Sequence, residues 1–158
     1  MLVLIRGAGD LASGVSLRLH RAGFPVVMTD LPKPTAIRRT VCFSQAIRFG
    51  TTMVEDAEGM CCHTAREVKA ALDAEKIPVL PDETAKCKDW LHPDVLVDGI
   101  LAKKNLGTKM SDAPLVIALG PGFCAGRDCH AVIETMRGHS LGRIIREGSA
   151  MPNTGVPG

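Results

Sequence analysis

The sequence predicts an α/β domain with three layers, a mostly parallel sheet and a C-terminal β-hairpin-like appendage. Three observations predict it. A short apolar run, Leu2-Val3-Leu4-Ile5-Arg6, feeds directly into Gly7-Ala8-Gly9-Asp10-Leu11-Ala12, and an amphipathic stretch follows to His20. Further apolar runs at 24–30, 77–80, 95–98 and 114–119 alternate with segments of helical or loop character. Several of them end in acidic or glycine-rich loops. Alternating strands and helices imply a parallel sheet covered on both faces. The strand, glycine turn and helix start make the domain Rossmann-like.

Taken in order, the first helix runs from Leu11 to about Arg21, with Leu11, Val15 and Leu19 on its apolar stripe and Leu17 broadening it. Gly23 ends it, and 24–30 is a strand closing on Asp30. After Leu31-Pro32-Lys33-Pro34, Thr35 caps a helix expected to reach about Arg48, with Ile37, Val41 and Ile47 on its buried face. Residues 50–54 and 59–63 read as short strands around an acidic turn. Thr64 and Glu67 have capping-box spacing for a helix to about Glu75. A strand at 77–80, a short helix at 83–91 and a strand from 95 to 98, extending toward Leu101, come next. Residues 103–109 form a basic loop, and 114–119 is a buried strand that empties into Gly120-Pro121-Gly122-Phe123. Residues 129–148 read as a hairpin, with a helix at 130–137 as the alternative. The domain thus spans 1–128, the appendage 129–150, and 151–158 is a linker by composition, expected to lead to a further region.

The totals narrow the function classes. At 158 residues, 46% of them hydrophobic, the chain suits one domain with a core. Aromatics make up 3% and the net charge is +2, so stacking platforms and a basic groove for nucleic acid are lacking. No apolar run has the length of a membrane span or a signal peptide, which gives the cytoplasm as the expected compartment. The six cysteines form no Cys-x-x-Cys pair and are expected to be reduced thiols, with no metal site among them. A homodimer is the base-rate expectation for assembly.

In a parallel sheet, ligands bind outside the carboxyl ends of the strands. Gly7 suits the tight turn, Gly9 lets backbone approach a phosphate, and the helix start directs N–H groups at an anion. Asp30 stands roughly 20 residues later, where this fold places a ribose-binding carboxylate. Arg38 and Arg39, Lys103, Lys104 and Asn105, the turn Gly120 to Gly122, and His139 complete a candidate cofactor-binding set for a phosphate-bearing small molecule. Asp10 argues against ordinary dinucleotide binding, because its carboxylate sits at the helix start and competes with a pyrophosphate. No catalytic set can be assigned. An NAD(P)-dependent oxidoreductase and a ligand-free docking module stand as alternatives.

The blocks Arg6-Gly7-Ala8-Gly9-Asp10-Leu11-Ala12-Ser13-Gly14, 34–41, 98–105, Gly120-Pro121-Gly122-Phe123, 130–139 and Pro152-Asn153-Thr154-Gly155 together resemble the selenium-dependent molybdenum hydroxylase accessory proteins. These are grouped near the xanthine dehydrogenase accessory factors. The resemblance covers essentially the whole chain. It implies a helper in maturing molybdenum hydroxylases, with the apoenzyme as partner and molybdopterin, the molybdenum cofactor or a (di)nucleotide as ligand. Delivery is implied more strongly than catalysis. Cysteines 61, 62, 124 and 129 are not part of that pattern.

Overall fold

Alternate residues of the central strands face opposite layers, and both sets are buried. Val3 and Ile5 join one core with Val26, Met28, Val95 and Val97, while Leu4 joins the other with Val27, Leu96 and Val116. A sheet covered on both faces reads as continuous apolar runs, which is why these strands are conspicuous in the sequence. The computed structural model describes residues 1–152. Its elements are β1 (Val3–Arg6), α1 (Asp10–Arg21), β2 (Val26–Asp30), a 3₁₀ turn (Arg39–Val41), α2 (Gln45–Phe49), β3 (Thr51–Val54) and β4 (Ala57–Cys61). They continue with α3 (Ala65–Asp73), β5 (Ile77–Pro81), α4 (Lys88–Leu91), β6 (Val95–Asp98), a second 3₁₀ turn (Met110–Asp112), β7 (Leu115–Leu119), β8 (Ala131–Ile133) and β9 (Ile144–Ile145).

The strands form one 9-stranded sheet in the order β3-β4-β5-β2-β1-β6-β7-β8-β9. All pairings from β4 to β8 are parallel. Only the outermost, β3 with β4 and β8 with β9, are antiparallel. The mixed α/β, mostly parallel, Rossmann-like fold expected from the sequence is therefore present. Ala12 and Leu17 of α1 pack on one face with Phe43 and Ala46, and Val68 and Ala71 of α3 pack on the other. Among the described residues no helix is long and apolar enough to cross a membrane.

Four expectations change. In α1, Leu17 is buried and Val15 and Leu19 pack against the core as expected, but Leu11 is half exposed and the other buried residues are the small Ala12, Ser13 and Ser16. Small side chains win that face because the helix sits close to the sheet: a Cβ on Gly99 would stand 3.0 Å from that of Ala12. The helix expected over 35–48 shrinks to the 3₁₀ turn and α2, and Ile37 and Val41 are exposed. Tertiary bonds replace its internal ones, since Phe43 N–H donates to Ser13 Oγ at 2.9 Å and Ser44 N–H to Ala8 O at 3.1 Å. The helix expected at 83–91 forms only over α4, where Asp82 Oδ2 takes the Cys87 N–H at the start. The hairpin forms, but β8 pairs with β7, so it extends the main sheet. The end of the tail, 153–158, lies outside the described residues.

The expected helix cap at Thr64 forms. Thr64 and Glu67 make the reciprocal capping box, with Glu67 N–H donating to Thr64 Oγ1 and Thr64 N–H to Glu67 Oε2. All six cysteines are free thiols, four of them buried. Among the described residues no cluster of His, Cys, Asp or Glu could hold a metal ion.

Candidate functional site

β1 lies between β2 and β6, and the chain crosses to opposite sides of it, so the carboxyl ends of these strands form the topological switch point. A cavity of about 570 Å³ opens there. That volume is in the range of small-molecule and cofactor sites. Its walls are the turn residues Gly7, Gly9 and Asp10, the end of β2 at Thr29, Asp30 and Leu31, and Gly99 to Leu101 beyond β6. Arg6 lines it at the end of β1, and Leu11, Thr35, Ala36, Glu83, Thr84 and Leu106 complete the lining.

The turn is built for close approach. Gly7 has φ +102, and a Cβ on it would lie 3.0 Å from Gly99 O. Its N–H donates to Thr29 O at 2.8 Å, which ties the turn to β2. Ala8 N–H donates to Asp30 Oδ2 at 3.0 Å, and Leu31 N–H to Asp30 Oδ1 at 2.7 Å. Burial pushes the Asp30 carboxyl above its usual range, against the pull of those two N–H groups. Gly9 is the N-cap of α1, in extended backbone at φ −71.

Asp10 is the first residue of α1. One of its oxygens accepts the Leu11 N–H at 2.9 Å, and the other pairs with Arg38. Asp10 engages one N–H at the helix start, and Arg38 compensates its charge. The N–H groups of Gly9, Asp10 and Ala12 have no partner among the described residues. They leave the positive end of the helix dipole directed at the cavity.

Beneath the turn lies a buried polar row. Thr29, Arg6 and Asp98 are register partners at the ends of β2, β1 and β6. Arg6 is 5% exposed, yet it lines the cavity. Its Nη1 donates to Thr108 Oγ1 at 2.7 Å and faces Asp98 Oδ2 at 3.7 Å, and the Thr108 hydroxyl donates to that same Asp98 oxygen at 2.6 Å. Arg6 Nη2 donates to Leu106 O and Glu83 O, so this one side chain pins two loops of the cavity wall. Burial raises the Asp98 carboxyl above its usual range, against the Thr108 hydroxyl, the Ile100 N–H and Arg6.

Of the expected site residues, Gly7, Gly9, Asp10 and Asp30 line the cavity, and Arg38 reaches it only through Asp10. Arg39, Lys103, Lys104, Asn105, Gly120, Gly122 and His139 lie outside the lining, so the two glycine turns do not form one cradle. The cause is local. Leu101 and Lys103 adopt positive φ, which turns the chain away from the end of β6, and the basic loop leans on the second turn. A Cβ on Gly122 would lie 2.6 Å from the Lys104 backbone. Asn105 is engaged within its own loop, accepting the Gly107 and Thr108 N–H groups and donating to Thr108 O. His139 is exposed in the hairpin turn.

Arg6, Thr29, Asp98 and Thr108 were not legible as a group. The available signal was opposite charges at the last positions of two apolar strands, Arg6 and Asp98, which become neighbours only once the register is known. The cavity lining contains backbone donors, carboxylates, hydroxyls and one guanidinium, and no histidine, cysteine, lysine or tyrosine. It is equipped to bind and orient a polar ligand.

The chain is similar to an Escherichia coli (strain K12) protein named "Uncharacterized protein YqeB", with 54% identity over 157 residues. The match takes in 99% of this chain and 29% of that protein, so the chain spans less than a third of the relative's length. No family model matches the chain, and no solved structure does.

Proposed function

We propose that this domain holds a phosphate-bearing cofactor of nucleotide or molybdopterin type and serves the maturation of molybdenum hydroxylases of the xanthine dehydrogenase kind, the selenium-dependent ones among them. The observation that carries the binding part is the open cavity at the switch point, whose lining includes Gly9 and Asp10 at the start of α1, with backbone N–H groups that have no partner among the described residues. Asp30 offers a carboxylate to a ligand hydroxyl beside them. The maturation part rests on the sequence blocks that resemble the accessory family.

The residues fit such a ligand at its phosphate end, where backbone donors and the α1 dipole need no lysine. They also fit a ring with amino groups, since Asp10, Asp30 and Glu83 line the same cavity. No soft ligand lines it, so the domain would grip the organic part and leave a metal to the cofactor's own donor atoms. Delivery to an apoenzyme is the role this suits. An oxidoreductase reading gains the same glycine turn and Asp30, but the lining supplies no histidine, tyrosine or lysine to move a proton. A ligand-free docking module is disfavoured by a cavity that stays open.

The test is mass spectrometry of small molecules released from gently purified protein, with molybdenum and selenium analysis of the same sample. A released pterin or nucleotide phosphate is expected. Release of no phosphate ester, together with silence in calorimetric titrations with nucleotides, would overturn the reading. Tight binding of nicotinamide nucleotides alone would favour the oxidoreductase instead.

A further inference from the structure

Two polar atoms of residues that line the cavity have no hydrogen-bond partner among the described residues. Arg6 Nε and Thr29 Oγ1 are both buried, and neither makes a hydrogen bond among the described residues. Their residues are 5% and 1% exposed, both line the cavity, and they are register partners on adjacent strands. A buried donor without a partner costs stability, so native proteins keep few of them, and a ligand is one reason to keep a pair.

The charge around them sets what that ligand group can be. Arg6 is already compensated by Asp98 at 3.7 Å, and Asp30, Asp10 and Glu83 also line or border the cavity. A formal anion at this depth would leave negative charge buried without a counterion, which is costly. A neutral acceptor takes two N–H or O–H donors without that cost. We propose that Arg6 Nε and the Thr29 hydroxyl recognise a ring carbonyl oxygen on the ligand's heterocycle, so that the cavity selects a carbonyl-bearing base or pterin-like ring over one without a carbonyl. This rests on the cofactor-cavity reading above and adds the identity of the end away from the phosphate.

Calorimetric titration of the full chain with GDP, CDP and ADP tests it, because guanine and cytosine carry a ring carbonyl and adenine does not. The wild-type chain is expected to bind GDP or CDP about tenfold more tightly than ADP, the scale of one hydrogen-bonded group. Thr29→Val keeps the shape and removes the hydroxyl. It should abolish that preference and leave the melting temperature unchanged or higher. Thr29→Ser should restore the preference. Equal binding of the three nucleotides by the wild type, or a preference that survives in Thr29→Val, overturns the inference and leaves the cavity reading standing. A lowered melting temperature in Thr29→Val also overturns it, since the hydroxyl would then already serve the fold. Binding of none of the three overturns this inference, and together with release of no phosphate ester from the purified protein it overturns the cavity reading as well.

Discussion

Gly9→Ala separates a glycine needed for folding from one needed for a ligand. Gly9 has φ −71 and ψ −174, a conformation that alanine adopts without strain, and a Cβ built there meets no atom within 4 Å. Alanine is a poorer N-cap than glycine by roughly 0.5–1 kcal/mol. It also restricts the unfolded chain, which returns about 0.4–1 kcal/mol. The two nearly cancel, so the variant should unfold within about 1 kcal/mol of the wild type. The new methyl nevertheless stands in the lining of the cavity, in front of N–H groups that a phosphate must approach to hydrogen-bond distance. Loss of even one such contact weakens binding about tenfold, or 1.4 kcal/mol. Denaturant unfolding and calorimetric titration with GDP would be read on the same preparation. Full affinity in a stable Gly9→Ala protein would refute the turn as the phosphate seat, and a large loss of stability would refute the steric argument.

Three other perturbations read different parts of the same site. Gly7→Ala places a Cβ 3.0–3.1 Å from the Gly99 and Ile100 backbone at φ +102, so strain and overpacking together should cost about 2–5 kcal/mol in urea unfolding. Thr108→Val removes the hydroxyl shared by Arg6 and Asp98, leaves both charged groups short of a partner, and should cost about 3 kcal/mol by the same measurement. Asp30 has a raised pKa, so the folded protein takes up its proton before an unfolded Asp does as the pH falls. As the pH falls through that interval, this group's contribution to folding therefore rises, while the carboxylate acceptor is being lost. GDP affinity should therefore decline on mild acidification without unfolding caused by Asp30, and Asp30→Asn should flatten that part of the titration.

The parts of the fold that were legible are those fixed by local chemistry. The central strands show because both faces are buried, the Thr64–Glu67 cap because its spacing satisfies two helix N–H groups, and Gly7-Ala8-Gly9 because a switch-point turn demands it. Residues 35–48 misled because helical periodicity there lost to bonds from Ser13 Oγ and Ala8 O, which no local window contains. The basic loop misled for a related reason. A run of lysines after a strand promises charge at the strand end, but positive φ at Leu101 and Lys103 carries Lys103 and Lys104 past it. The proposed anion seat consequently relies on backbone donors, with Arg38 held on Asp10. Arg6 and Thr29 could be joined only through the β1–β2 register, which is a property of the assembled sheet.

An amide-resolved magnetic resonance titration of the isotope-labelled chain with GDP reads directly which turn of the fold meets the ligand. Shifts are expected to concentrate at Gly7 to Ala12, Thr29 to Leu31 and Gly99 to Leu101, with the amides of Lys103, Lys104 and Gly122 moving less. Shifts centred on the second glycine turn and the basic loop, or none at saturating nucleotide, would contradict this placement.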